Sequence, residues 1–549
     1  DDMMRISHIR QVSSFITTPI FYANGPPHLG HLYTAIIGDA SHRWNRLKEP
    51  KGEHFFSTGT DEHGTKIAKT AREKGLTSIE LCDQVSASFK HLFREFDINT
   101  SDYIRTTERR HRECVEAMWK RLEAANCIEK SAYSGWYSTT DECFYQEGDI
   151  EDGPDGKVAK ETRSRVEWHE EENYMFKLDQ FHEKIRTWMT KNDVIRPKHY
   201  LPLALRYIEA ETRLSISRDA SRLSWGISVP GDSSQTIYVW LDALCNYLTV
   251  RGFPDCMATS SWPPTTQIIG KDILKFHAVY WPAFLLAAGL ALPQRLFVHG
   301  HWLVDGSKMS KSVGNVIEPL KMSELLSKEG LRYLLLKQGL PHDDSNFAVL
   351  KAVNVINADL INNVGNLVSR ACASKINANQ VYPYVDILEL HDEICQSANP
   401  LIAEMNGLRE KIVPLYDNML FYKAIEEIMA LSKLTNAFFQ VHAPWKMSEG
   451  AKLSTVLYVT YEATRIISLL MQPITPKLAD FCLSRLGISP NYRNLETATF
   501  GGGPKMDQVG RSLGEDEGLY MERIEVPKVE IEAPPKVKKE KKKKSNKIE

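Results

Sequence analysis

Residues 15–23 are rich in β-branched and aromatic side chains, the turn Asn24-Gly-Pro-Pro27 interrupts them, and residues 31–47 carry apolar side chains at helical spacing. A second β-prone run, Glu53-His-Phe-Phe-Ser-Thr-Gly59, comes next, with another helical stretch from about Lys66. Strand, helix and strand in this order imply a parallel βαβ unit. Short β-prone runs at residues 236–241, 266–270 and 295–299 resume the pattern. Before those runs, from about Tyr133 to Ser224, Gly, Asp, Glu and aromatic residues crowd together, as in Gln146-Glu-Gly-Asp-Ile-Glu-Asp-Gly-Pro-Asp-Gly156. The reading is α/β: a Rossmann-type parallel sheet split by an inserted domain. After about Phe347 strand signals fade and amphipathic helical segments run to about Leu486, an α-helical bundle.

Length agrees with this division, since 549 residues supply three or four domains at roughly 100–200 each. The expected boundaries are an N-terminal extension over 1–14, the first half of the sheet over 15–132, the insertion over 133–224, and the second half over 225–300. A lysine-bearing loop and linker then occupy 301–346, the helical domain 347–500, and a C-terminal extension 501–549 whose Lys-rich end reads as disordered. A net charge of -2 gives no global sign of nucleic-acid binding. Nine cysteines without a Cys-x-x-Cys pair argue for reduced thiols. The longest apolar stretch, residues 281–292, is shorter than the ~20 residues that span a bilayer, so no membrane segment is expected. The opening DDMMRISHIRQVSS turns basic and serine-containing, which fits either a mitochondrial transit-peptide remnant or a plain disordered terminus.

Two segments carry chemistry. In His28-Leu-Gly-His31 the free N–H groups and dipole of a helix start favour an anion, and Gly30 lets a nucleotide lie against the backbone. His28 and His31, three apart, share a helix face and can donate to phosphate oxygens as charge accumulates in an in-line displacement. Taken alone, the same pattern reads equally as a capped helix with two half-exposed histidines. Asp305-Gly-Ser-Lys-Met-Ser-Lys-Ser-Val-Gly-Asn315 places Lys308 and Lys311 three apart in a Ser/Gly-rich loop, two mobile charges suited to a triphosphate; by itself it reads also as a solvated basic loop.

Together these segments resemble the two ATP-binding motifs of class I aminoacyl-tRNA synthetases. The blocks Thr18-Pro-Ile-Phe-Tyr-Ala-Asn24, Thr58-Gly-Thr-Asp-Glu-His-Gly64, Tyr238-Val-Trp-Leu-Asp-Ala-Leu-Cys-Asn-Tyr247 and Ile269-Gly-Lys-Asp-Ile-Leu-Lys-Phe-His277 resemble the methionyl-tRNA synthetases, and the likeness runs from about Phe15 to about Glu525. That resemblance implies activation of methionine by ATP with Mg²⁺, then transfer of the methionyl group to the terminal adenosine of its tRNA. It implies that His28, Gly30 and His31 hold ATP and its α-phosphate, that Lys308 and Lys311 grip the leaving pyrophosphate, and that Asn24, Gly270, Lys271, Asp272 and Ser310 also contact ATP. Asp61 is the expected partner of methionine's ammonium, because an unpaired buried charge costs several kcal/mol. Ile20, Tyr22, Trp240, Ala243, Tyr247 and His277 are expected to line a soft cavity for the thioether, with Leu244 where some members have proline.

Many members carry Cys-x-x-Cys pairs of a zinc knuckle in the insertion. Here Ser138 and Asp141 stand where the first pair would be, and Cys143 alone cannot complete a four-ligand site, so no structural zinc and no metal-ligating residue of the chain is expected. This insertion, the Asp242-Ala-Leu-Cys-Asn-Tyr247 block and the lack of a C-terminal oligonucleotide-binding domain resemble the mitochondrial enzymes of eukaryotes. The mitochondrial matrix is therefore expected, with a cytoplasmic location as the alternative, and a monomer is expected.

In the helical region Asn362, Asn366 and Arg370 are four apart and would share a helical stripe able to read unstacked base edges, and Trp445 offers a ring on which a base can stack. These match anticodon-reading positions of the resembled family. The Lys-rich tail, residues 536–547, reads either as a source of non-specific RNA affinity or as a solvated tail. Two rivals stand beside this reading: a small-molecule adenylyltransferase, which has no use for the helical bundle, and a tRNA-binding relative without catalysis.

Overall fold

The computed structural model describes residues 12–138, 143–145, 147–154, 156–160, 162–255, 262–309, 314–386, 392–504 and 510–526. At its centre Val12–Thr17, starting inside the extension expected over 1–14, pairs in parallel with Glu53–Asp61 on one edge and Thr266–Gly270 on the other. Leu296–His299 continues the parallel sheet beyond Thr266–Gly270, and Asp102–Arg105 flanks the far edge of Glu53–Asp61. After Pro19 the first strand resumes as Phe21–Tyr22 along the same neighbour, with Phe21 opposite Thr60 and Tyr22 opposite Asp61. The chain thus leaves the central strand toward both sides, and a ligand crevice belongs at that switch point, beyond the carboxyl ends of the strands.

Helix Leu29–Lys48 crosses behind the sheet and is buried along most of its length. Gly38 permits the approach, since a Cβ there would fall 2.6 Å from the Phe56 ring. At the far end, Trp44 stacks on Tyr416 at 4.7 Å, its indole N–H donates to Asp417 at 2.8 Å, and Lys48 pairs with the same carboxylate at 2.7 Å. A second joint lies at Arg332 on helix Lys328–Gln338. Its fully buried guanidinium donates to Asp39 at 2.6 Å, to the Phe96 carbonyl at 3.1 Å and to the Ile474 carbonyl at 3.1 Å. Sheet domain and helical bundle are thereby fastened through one side chain.

The insertion is built on a long antiparallel pair, Ile128–Ser138 with Glu167–Phe176, flanked by Cys143–Tyr145 and Leu214–Ser215. Not all of the span 133–224 stays in it. Ile195–Arg196 pairs in parallel with Leu296 and Phe297 of the central sheet, and helices His182–Lys191 and Leu201–Glu209 bury Ile185, Trp188, Ala204 and Ile208 against the same core. A two-residue strand leaves no periodic signal, so its place is decided by burial. The β-prone run 236–241 also divides. Asp232–Ile237 joins a small antiparallel sheet, whereas Val239–Leu244 is helical, because packing of Trp240 against Phe276 overrides a weak local preference.

The helical region contains Val349–Ile356, Asp392–Asp417, Phe421–His442, Ala451–Met471 and Pro476–Arg485. Val381–Tyr382 pairs with Arg511–Ser512, which brings the end of the described chain back onto the bundle. Residues 1–11 and the Lys-rich tail lie outside the described residues. Among the described residues no helix is long and apolar enough to cross a membrane.

Candidate active site

His28-Leu-Gly-His31 opens helix Leu29–Lys48 as a capping box. His28 caps the helix: its Nδ1 accepts from Gly30 N–H at 3.1 Å, while the His28 N–H donates to His31 Nδ1 at 3.2 Å. The two rings stack with centroids 3.6 Å apart. Because each Nδ1 accepts from the backbone, each neutral ring carries its proton on Nε2. The cap therefore fixes the tautomer of both rings.

The lysine loop comes to the same place. Leu29 N–H donates to the Ile317 carbonyl at 3.1 Å, and the Met309 methyl lies 3.8 Å from where a Gly30 Cβ would be. Lys308 reaches Asp272 at 3.2 Å, and His301 Nε2 lies 3.1 Å from the other oxygen of that carboxylate. Crowding by the surrounding protein favours the neutral acid, although 47% of the Asp272 side chain is exposed, but the hydrogen bond from His301 and the charge of Lys308 overcome it and hold the carboxyl well below the carboxylate range. Gly270 makes room, since a Cβ there would sit 2.7 Å from Asp272 Oδ1. Lys271 turns instead to Asp344 at 2.8 Å, whose carboxylate also accepts the His301 N–H at 2.8 Å. Asn24 is half-buried after Phe21–Tyr22. Ser310 and Lys311 lie outside the described residues.

The residues expected around the thioether come from four elements. Tyr247 and His277 are buried and satisfy one another: the Tyr247 hydroxyl donates to His277 Nε2 at 2.8 Å, and His277 Nδ1–H donates to the Ile273 carbonyl at 2.9 Å. Burial pushes the imidazole down to about 4, so it is neutral near pH 7. Trp240 lies flat on Phe276 with centroids 3.6 Å apart, and Phe276 opens a π-helical turn, a widened geometry that recurs at functional sites. Ala243 is buried on the Val239–Leu244 helix. Ile20 packs on Phe15, Ile104 and Val250, and Tyr22 brings its backbone beside Asp61 at the strand ends.

In the helical region Asn357–Gly365 is π-helical, so Asn362 sits on a wider turn, while Asn366 and Arg370 lie on the α-helix Asn366–Ala371 that follows. Asn366 still donates to Asn362 at 3.5 Å. Arg370 lies 5.4 Å above the Trp445 ring and 5.3 Å above Phe439, and donates to Gln440 at 3.1 Å. Trp445 itself remains 40% exposed.

Sequence reasoning missed His301, Asp344 and Phe276. Phe276 sat inside a quoted block, and the His299-Gly-His301 repeat just before the lysine loop was a usable signal. In the insertion Ser138 faces Cys143 across an antiparallel pair, and Asp141 lies outside the described residues. Among the described residues no group of three or more His, Cys, Asp or Glu side chains is placed to hold a metal.

Comparison with known proteins gives the family. The chain matches the family described as tRNA synthetases class I (M) over residues 14–165 and 152–372, and the anticodon-binding domain of tRNA ligase over residues 399–539. It is 44% identical over 540 residues to the mitochondrial methionine--tRNA ligase of Mus musculus, covering 94% of this chain and 92% of that protein. With the mitochondrial enzyme of Homo sapiens identity is 43% over 545 residues, covering 94% and 91%. The Mycobacterium tuberculosis methionyl-tRNA synthetase in complex with methionyl-adenylate superimposes with a TM-score of 0.85 at 36% identity, covering 91% of this chain and 98% of that one. The chain belongs to the class I methionyl-tRNA synthetases, in their mitochondrial group.

Proposed function

We propose that the chain joins methionine to ATP as methionyl-adenylate, releasing pyrophosphate, and passes the methionyl group to the 3′-terminal adenosine of tRNA(Met) for mitochondrial translation. The observation that carries this reading is the meeting of the lysine loop with the doubly capped histidine pair at the sheet's switch point. A methionine carboxylate oxygen attacks the α-phosphorus in line as the bond to pyrophosphate breaks. His28 and His31, their Nδ1 atoms occupied by the backbone, turn Nε2–H toward phosphate oxygens. Lys308 leaves Asp272 for the pyrophosphate, and Lys311 joins it from the same loop. Mg²⁺ enters with ATP as part of that substrate: Asp272 is one carboxylate at the site, which suits an ion held largely by phosphate oxygens and water.

Asp61 takes the ammonium of methionine, and Ile20, Tyr22, Trp240, Ala243, Tyr247 and His277 enclose the thioether. Because the Tyr247 and His277 polar atoms bond each other, the sulfur enters without stranding a donor. Trp445 receives an unstacked anticodon base while Asn362, Asn366 and Arg370 address base edges. The enzyme acts as a monomer, and its insertion folds without zinc.

Methionine-dependent ATP–pyrophosphate exchange, with leucine, isoleucine and valine as controls, tests the activation step. Exchange with methionine alone is expected, and exchange with none would favour a catalytically inactive tRNA-binding relative. His31→Ala should lower the exchange rate roughly 10²–10³-fold if it donates in the transition state. A change in methionine KM alone would place it in ground-state binding.

A further inference from the structure

We propose that His63, Asp242 and His111 form a buried clamp that sets the width of the methionine pocket, so that amino-acid selection depends on three positioning residues that do not touch the substrate. The proposal rests on the pocket assignment above. The Asp242 carboxylate accepts from His63 Nδ1 at 2.7 Å through one oxygen and from His111 Nε2 at 2.7 Å through the other. All three side chains are at least 98% buried.

What makes the cluster more than core filling is where its members stand. Asp242 lies on helix Val239–Leu244 between Trp240 and Ala243. Those two, three apart, share a helix face, and Asp242 projects from another. His63 follows Asp61 by two residues in the turn that ends strand Glu53–Asp61. His111 sits on helix Arg109–Ala124, and its Nδ1 lies 3.0 Å from Thr249 Oγ1, on the short helix Asn246–Thr249 that carries Tyr247. The walls assigned to the ammonium and to the thioether are thereby tied behind the pocket at one carboxylate.

Asp61 is restrained from the other side as well. Glu62 is fully buried and accepts from Thr60 Oγ1 at 2.8 Å, Thr107 Oγ1 at 2.5 Å and Arg105 Nε at 2.7 Å. Asp61 therefore stands between two anchored neighbours. Apolar residues of similar volume would stabilise such a core as well or better, so what a charged cluster adds is fixed distance and direction.

The test compares His63→Leu and His111→Leu with the rescuing His63→Asn and His111→Gln in methionine-dependent ATP–pyrophosphate exchange. Asn can supply a donor where Nδ1 stood and Gln one where Nε2 stood. His63 Nε2 has no hydrogen-bond partner among the described residues, so Asn restores the whole of its polar contribution. The Leu variants should raise the methionine KM about tenfold to hundredfold, the equivalent of one charge-assisted hydrogen bond, with the ATP KM unchanged. Their preference for methionine over ethionine, one methylene longer, should fall about tenfold. Asn and Gln should recover most of both. An unchanged methionine KM and preference would overturn the proposal, and so would equal losses toward methionine and ATP that Asn and Gln do not rescue. If the Leu variants fail to fold, Asp242→Asn, of the same shape, carries the test by setting a donor against an N–H. Asp61→Asn and Trp240→Ala serve as controls. If they leave the methionine KM intact, the pocket assignment is at fault; if they raise it while the clamp variants do not, the clamp alone is wrong.

Discussion

The residues we assign to methionine and those we assign to the anticodon are of the same kinds, set in opposite ways. In the pocket, Tyr247 and His277 are closed off from water and spend their polar atoms on each other and on a carbonyl. On the helical domain, Trp445 keeps its ring exposed, with the Arg370 guanidinium above it. A small apolar side chain is recognised by a cavity whose polar demands are met beforehand, whereas a nucleotide base is recognised by a face left open for stacking. One set has its polar atoms satisfied within the protein; the other leaves a ring in solvent.

Asp61→Asn should disturb the first region most. Leaving the methionine ammonium without its anion costs about 3–5 kcal/mol, so kcat/KM for methionine in pyrophosphate exchange should fall by about a hundredfold to a few thousandfold with tRNA binding untouched. An unaffected rate would place the ammonium elsewhere and break the contrast. Trp445→Ala should do the reverse. Loss of about 1–3 kcal/mol of stacking should raise the tRNA KM roughly tenfold to hundredfold while exchange without tRNA proceeds at the wild-type rate. Arg370→Gln should cost less, a few-fold in tRNA KM, matching about 0.5–1 kcal/mol for an exposed cation over a ring.

The smallest effect concerns acid. Burial lowers His277 to about 4 from an ordinary 6.5, so the unfolded chain takes up the proton first. Its contribution to stability is complete above pH 6.5 and declines as pH falls toward 4. Between pH 7 and 8 the methionine KM should show no His277 titration, and the melting temperature of His277→Gln should fall less steeply than wild type between pH 6.5 and 4.5. His299, lowered by burial to about 4 as well, adds to the wild-type slope in the same direction.

The contrast also separates what was legible in the chain. The parallel sheet and the start of helix Leu29–Lys48 could be read because β-prone runs, a Pro-Pro turn and a helical period occur within one short stretch. The exposure of Trp445 could be read because it follows a helix end and a proline in a polar stretch. Ile195–Arg196 could not, being two residues recruited to a sheet whose other strands lie far along the chain. Nor could the partners of Asp242: His63 is 179 positions away and His111 is 131, and local pattern does not encode contacts at that range. The lysine loop was legible as a pair of charges, but not that Lys308 would rest on Asp272, since that contact needs the bare Gly270 backbone to let the carboxylate fold over.

Helix Leu29–Lys48 is a rod with a fixture at each end. Its 20 residues span about 30 Å. One tip holds His28 and His31, and the other is bolted through Trp44 and Lys48 to Asp417 at the end of helix Asp392–Asp417 in the bundle. Pivoting at one tip by about 2° carries the other through about 1 Å, a displacement on the scale at which misplaced groups lose about a hundredfold in rate. Leverage of this kind makes the seating of the bundle against the sheet a tolerance for the chemistry at the opposite tip.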